Sequence, residues 1–199
     1  MLRKLPLIPT LIVGAAVAVM IALGFWQLRR GQEKDALLER YRAAQNLPPV
    51  SFPTSPIHES QLPLFRHSTG MCVRPVAKRS TAGRNRSGEP GYSVIVDCST
   101  GAEGPGMSVE IGWSKNPNVA VDWRGGLVSG IIAPDSRTRM RLVAASSPPG
   151  LEPAAPPSIE QIPNNHRSYA IQWFLFALIA LVIYLLALRG KLAAKKLNQ

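Results

Sequence analysis

Two long stretches without a charged residue, one near each end of the chain, constrain the fold more than any other feature. The first covers residues 5–28 and the second covers residues 168–188 of the 199-residue chain. At ~1.5 Å per residue, helices of these lengths reach roughly 36 and 32 Å, enough for the ~30 Å hydrocarbon core of a bilayer. A cleaved signal peptide is the alternative for the first stretch, but its apolar part is usually only ~7–15 residues long. We therefore predict two uncleaved transmembrane helices.

The net charge of +11 would suit a nucleic-acid partner if it lay on the part between the helices. Residues 35–164, however, contain thirteen basic and eleven acidic residues, so this part is nearly neutral. The excess positive charge lies in the tails and beside the helix ends, where basic side chains meet anionic lipid headgroups. The charge pattern therefore predicts contact with a lipid membrane and no nucleic-acid partner.

The basic residues also predict an orientation. A basic cluster follows the second stretch, in residues 189–199, and the positive-inside rule places this tail in the cytoplasm. Two spans then return the N-terminal residues 1–4 to the same side and leave the middle of the chain outside. Arg29, Arg30 and Lys34 alone would favour the reverse, but a long middle segment is translocated largely regardless of its charge.

The middle of the chain changes from a helical to a strand pattern. Residues 29–46 have a helical composition and predict an extension of the first helix, while residues 47–163 form a β-rich domain with Pro-rich linkers. Short β-branched runs predict five strands in a small antiparallel barrel or sandwich, at residues 71–77, 92–98, 107–113, 127–132 and 140–144. The predicted fold class is a membrane α+β protein, with two transmembrane helices flanking a small extracytoplasmic antiparallel β-rich domain.

The residues that commonly carry chemistry give few signals. Cys72 and Cys98 lie in adjacent predicted strands, which leaves open either a disulfide or two buried thiols. The three histidines, His58, His67 and His166, fit no metal-ligand spacing, and no catalytic motif is found. We therefore predict that the protein is not an enzyme; an enzyme would need an activity that depends on His58 or His67.

The most specific patterns lie at the outer ends of the two helices. The first is Gly24-x-Trp26-Gln27-x-x-Arg30, and the second is Asn164-x-His166-x-x-Tyr169-Ala170-x-x-Trp173-Phe174. Spacing places Trp26 and Arg30 on one helical face, and His166 and Trp173 on another. A purely structural interpretation is also open. The aromatic and basic residues would then form an interfacial aromatic belt with snorkelling cations, and the histidine would be solvated or cap the helix.

These two patterns together resemble the surfeit-locus family of cytochrome c oxidase assembly factors. Between them the likeness is weaker, because Ile111-Gly112-Trp113 stands where the family has Arg-Gly-Trp. The resemblance implies a short bacterial-type member, resident in the inner membrane with its soluble domain in the periplasm. Its implied partners are subunit I of the oxidase and other assembly factors.

The resemblance also implies that the protein handles haem a, with His166 as a proposed ligand of the haem iron. A neutral imidazole is a common axial ligand, aromatic rings can stack on the macrocycle, and arginines can hold its propionates. The alternative is a cofactor-free membrane scaffold that stabilises an oxidase assembly intermediate. The residues that we predict to contact haem a are His166, Trp26, Arg29, Arg30, Tyr169 and Trp173, with Arg167 as a further candidate for the propionates.

Overall fold

The computed structural model describes residues 6–101 and 106–197, with side chains described as far as residue 191. The chain divides into two compact units. One unit contains two long helices, which come from the two ends of the chain, and we call it the helix pair. The other unit, Leu38–Ile162, contains the sheet.

The two helices are α1, Leu7–Gln45, and α2, His166–Leu197. One uninterrupted helix thus covers both the predicted first span and its predicted extension, and it ends before Pro48 because proline disfavours helical backbone in the residue before it. Only 6% of the most apolar window of either helix is buried. A core helix of a water-soluble protein would be mostly buried, so both helices are candidates for membrane spans, as the sequence predicts.

The sheet unit contains one seven-stranded sheet and two short 3-10 helices, Glu59–Gln61 and Ile159–Gln161. The strand order is β1-β2-β6-β7-β5-β4-β3. The strands are β1 Val50–Ser51, β2 His67–Cys72, β3 Arg74–Arg84, β4 Pro90–Ser99, β5 Met107–Ser114, β6 Gly126–Asp135 and β7 Arg139–Ala144.

Strand pairing corrects two details of the prediction. The β1–β2 and β5–β7 pairs are parallel and the other four pairs are antiparallel, so the sheet is mixed. The predicted strand at residues 71–77 is in fact two strands, because Val73 separates β2 from β3. The irregularity continues in β3, where a β-bulge lies between Pro75 and Ala77. Proline cannot donate to the ladder, which accounts for a bulge at this place.

The sheet curls until its two ends approach each other. Only Val73 separates β2 from β3, although these strands lie near opposite ends of the sheet order. The Val73 backbone N–H donates a hydrogen bond to the carbonyl oxygen of Ser99, at 2.9 Å. Cys72 of β2 and Cys98 of β4 form a disulfide, which joins strands that three others separate in the sheet order. Of the two thiol states that the sequence left open, the structure contains the disulfide.

The inner face of the curled sheet holds the main apolar core. The last turns of α1 contribute to it through Leu38, which is 7% exposed, and through Tyr41. The ring of Tyr41 packs on Phe65, with 4.9 Å between the centroids. Burial raises the pKa of the Tyr41 hydroxyl. The core also contains Phe52, Val94, Val96, Met107, Val109, Ile111, Ile132 and Leu142.

The other face of the sheet carries a network of charged side chains. Glu110 lies between two core residues of β5, and strand alternation directs it away from the core. It accepts a hydrogen bond from Arg141 Nε at 2.7 Å, while Arg79 Nη2 donates to Asp135 at 2.8 Å. Burial alone would raise the pKa of Asp135, but hydrogen bonds from Thr138 and Arg79 outweigh it and lower this pKa to about 2.

Candidate functional site

All the predicted haem-contacting residues lie in the helix pair, where α1 and α2 run antiparallel. Their contacts follow one another along both helices. Thr10 shares a hydrogen bond with Tyr184, and the ring of Phe25 meets that of Phe174 edge-on with 5.3 Å between centroids. The start of α2 therefore lies beside the second half of α1.

His166 is the first residue of α2, and its imidazole contacts α1. Its Nδ1 lies 2.8 Å from the side-chain oxygen Oε1 of Gln27. One turn further along α1, Gly31 faces the same residue, and a Cβ there would lie 3.4 Å from the Cβ of His166, close to an ordinary van der Waals contact. Gln27 and Gly31 are four residues apart and so share one face of the helix. This face of α1 holds the histidine side chain.

The next turn of the same face carries a carboxylate, which binds one residue that precedes His166 in the sequence and one that follows it. Asp35 accepts a hydrogen bond from Asn164 Nδ2 at 2.7 Å and another from Arg167 Nη2 at 2.9 Å. Asn164 precedes His166 by two residues and Arg167 follows it. Asp35 therefore connects α1 to side chains on both sides of His166 in the sequence. We call Gln27, Gly31 and Asp35 together the α1 clamp.

Small residues bring the two helices close together beyond the α1 clamp. A Cβ at Gly24 would lie 2.6 Å from a ring carbon of Phe174, so no larger residue fits without movement of the ring. On α2, Ala170 is 0% exposed and Ala177 is 4% exposed. Small residues at such positions allow close packing of transmembrane helices, for which the lipid supplies no hydrophobic driving force.

The predicted aromatic residues differ in their position relative to the contact between the helices. Trp173 is partly buried and packs against Phe176 at 6.3 Å between centroids, while Tyr169 is 50% exposed. Trp26 is 52% exposed. At about 100° per residue it lies roughly 100–140° around α1 from Gln27 and Gly31. Trp173 is thus on the histidine face of α2, whereas Trp26 is on another face of α1.

The predicted arginines are all exposed, and two of them have partners. Arg30 forms an ion pair with Glu33 at 2.6 Å, and Arg167 forms one with Asp35 at 2.9 Å. Arg29 forms no ion pair with the residues that the structure describes. Of the three, Arg29 has its guanidinium group most available for a ligand.

Sequence patterns alone predict no site role for Gln27, Gly31 or Asp35. Gln27 belongs to the first motif, but the motif indicates only the family and no role for this residue. A signal was present, because Gly24 and Gly31 are seven residues apart and mark one small-residue face of a helix. The partner of that face could not be found from spacing alone.

The remaining histidines and carboxylates do not assemble into another reactive centre in the part of the chain that the structure describes. No group of three or more metal-ligating side chains occurs among those residues. His58 Nδ1 is 2.8 Å from the hydroxyl of Ser60, beside the first 3-10 helix, and His67 lies at the start of β2.

Comparison with known proteins identifies the family. The model of the SURF1 family matches residues 14–178, which is most of the chain and includes both outer motifs and the whole sheet. No match is found among curated proteins. The SURF1 family is known for the assembly of cytochrome oxidase and is a family of assembly factors, not of enzymes. The match confirms the resemblance to the surfeit-locus family that the two motifs carry: this chain belongs to the SURF1 family.

Proposed function

We propose that this protein assists the delivery of haem a to subunit I of cytochrome c oxidase in the inner membrane of a bacterium. Membership of a family of oxidase assembly factors supports a role in the assembly of this oxidase. The contact between His166 and Gln27 carries the haem part of the proposal. Haem a is cargo here, received and then passed on, and the protein catalyses no reaction of its own.

The His166 ring fits the role of an iron ligand. With the amide oxygen Oε1 facing the ring, Nδ1 would donate the hydrogen bond, and the lone pair of the neutral ring would be at Nε2. Histidines that bind metals commonly donate their other N–H to a fixed acceptor in this way. This tautomer would bind iron through Nε2.

The surroundings of His166 suit the rest of the haem molecule. Trp173 and the half-exposed Tyr169 lie near His166 on α2 and offer aromatic surface for the macrocycle. Arg29 offers a guanidinium for a propionate, and Arg30 or Arg167 would first have to leave an acidic partner. Trp26 offers a further aromatic contact for cargo that extends around α1.

The disulfide supports the proposed location of the sheet unit in the periplasm. Disulfides persist in oxidising compartments such as the periplasm and are rare in the cytosol. Two spans with a periplasmic middle leave both termini in the cytoplasm, in agreement with the basic C-terminal tail. Reporter fusions test this: a periplasm-dependent enzyme fused within residues 47–163 should be active, and activity only at the two termini would reverse the orientation.

The haem proposal is tested by replacing the ligand. Full-length parent protein and the His166→Ala variant are purified from cells that make haem a, together with His67→Ala as a matched control on β2. We expect a haem absorption spectrum in the parent and the control, and loss of most of it in His166→Ala. Equal haem content and an unchanged iron spectrum in His166→Ala would remove His166 from the ligand role.

A second candidate function is that of a scaffold that grips an oxidase subunit and binds no cofactor. The observation in its favour is that both apolar helices are exposed along their length, with only 6% of the most apolar window of each one buried. Transmembrane helices of a partner can pack on such a surface. A parent protein that retains no haem after purification, yet still co-purifies with subunit I, would favour the scaffold over haem delivery.

A further inference from the structure

The α1 clamp places three residues, one on each of three successive turns, against the start of α2. Gln27 contacts the imidazole, Gly31 faces the Cβ of His166, and Asp35 binds the side chains of Asn164 and Arg167. Together these contacts hold a ring nitrogen of His166, its Cβ and the side chains of two neighbouring residues against α1. The arrangement is more specific than helix packing requires, because Gly24 and Ala170 already allow the close approach.

We propose that Gln27 is the positioning residue of His166: its amide oxygen holds the proton on Nδ1 and directs Nε2 toward the haem iron. The proposal rests on the proposed function insofar as iron is the ligand. Its first half concerns only the protein and can be tested without haem. Gln27 acts through His166 and does not itself touch the cargo.

A glutamine is a suitable partner for a ligand that must later release its cargo. A carboxylate partner increases the basicity of a metal-bound imidazole and strengthens the bond to the metal. A neutral amide fixes the same tautomer and the same ring orientation without adding a negative charge. Gln27 would thus orient His166 while leaving the iron bond weak enough to be broken during transfer.

The first experiment observes the tautomer in the haem-free, full-length protein. The chain contains only three histidines, so the ¹⁵N signals of His166 are assigned by comparison with His166→Ala. In the parent at a pH where the ring is neutral, we expect a protonated Nδ1 and an unprotonated Nε2. In Gln27→Leu, which has a similar size and no acceptor, we expect the two tautomers to mix.

The matched control is Gln32→Leu, the same substitution at an exposed position of the same helix. This control should leave the tautomer as in the parent. Gln27→Glu retains the size and the acceptor and should keep the proton on Nδ1. A parent ring that is protonated at Nε2, or an unchanged tautomer in Gln27→Leu, would overturn the positioning role.

The second experiment titrates haem a into the same purified proteins in detergent. Loss of an outer-shell partner commonly costs ~10–100-fold in metal affinity, so we expect Gln27→Leu to bind at least ~10-fold more weakly than Gln32→Leu. Gln27→Glu should bind more tightly than the parent and release haem more slowly. Equal affinity in Gln27→Leu and Gln32→Leu would contradict the role toward iron.

The two experiments separate the failure of this inference from the failure of haem delivery. If the parent binds no haem a but shows the expected tautomer, and Gln27→Leu loses that tautomer, then Gln27 positions His166 and the proposed function is wrong. If the parent binds haem a through His166 and Gln27→Leu changes neither tautomer nor affinity, the proposed function stands and this inference is wrong.

Discussion

The helix pair depends on a few specific contacts between α1 and α2, whereas the sheet unit has a continuous apolar core, a disulfide and a charge network. The difference follows from the solvent. In water, burial of apolar surface drives packing, so the sheet unit is stabilised by its whole core. In lipid this driving force between helices is absent, and close packing with a few hydrogen bonds must replace it. A single substitution in the sheet unit should therefore change the stability of the whole unit, whereas one in the helix pair should change only the contacts near it.

The largest effect is expected in the sheet unit, where one change should lower the stability of the whole unit. Replacing both Cys72 and Cys98 by serine removes a cross-link between residues 26 apart in sequence, which should destabilise the sheet unit by about 3 kcal/mol. Thermal unfolding followed by circular dichroism measures the loss. The tautomer of His166 is the internal control and should not change. A change at His166 would show that the two units are not independent.

The charge network gives the next largest effect, which depends on pH. The pKa of Asp135 is lowered to about 2, so its contribution is complete above the pKa of an unfolded aspartate, near 4, and is lost as the pH falls toward 2. A shift of this size corresponds to roughly 2 kcal/mol. Asp135→Asn should therefore reduce the loss of stability between pH 5 and pH 2 by about this amount.

The control for this pH effect is Asp122→Asn, at a carboxylate whose side chain is 81% exposed in an ion pair with Arg124. Exposed pairs contribute little, so this variant should retain the pH dependence of the parent. The same pH dependence in Asp135→Asn and in the parent would mean that the network does not act through Asp135.

A smaller effect should appear in the helix pair, from the addition of one methyl group. Gly24→Ala places a Cβ 2.6 Å from a ring carbon of Phe174, and the overpacking should cost about 1 kcal/mol. Gly14→Ala is the control, because a Cβ at Gly14 meets nothing within 4 Å. Distances between spin labels at positions 19 and 179 should lengthen only in Gly24→Ala. Equal distances in both variants would show that the ring moves without cost.

The smallest effect concerns the exposed end of the α1 clamp. Asp35→Asn weakens the contacts to Asn164 and Arg167, and such exposed pairs contribute at most about 1 kcal/mol. Hydrogen exchange at the first turn of α2 should become several-fold faster, with no change in the sheet unit. Glu33→Gln, which breaks only the pair with Arg30 within α1, should leave this exchange rate unchanged.

Much of the fold could be predicted because its signals are local. The absence of charge marks both spans, and β-branched runs mark most of β4 to β7. The boundary at Val73 was missed because β2 includes Ser68 and Gly70, which have no β-branched side chain. Parallel pairing of β5 with β7 involves strands from distant parts of the chain, and no local pattern encodes it.

The candidate site was predictable only within each helix. Spacing places His166 and Trp173 on one face of α2, and His166 contacts α1 through Gln27. It could not show which face of α1 meets them, because that depends on how two helices dock. Trp26 and Arg30 stood out by chemical type, whereas the observed contacts of His166 are Gln27 and Gly31, which are chemically unremarkable residues.

The strand order has a consequence for the synthesis of the protein. Strands β3, β4 and β5 pair in the order in which they are made, but β2 pairs with β6 and β5 with β7. The edge of β2 that pairs with β6 therefore stays unpaired until residues 126–135 have been synthesised. At ~5–20 residues per second this delay is on the order of 3–12 s. During that interval the half-built sheet exposes its apolar face, so a factor that helps another protein mature should itself need protection while it is being made.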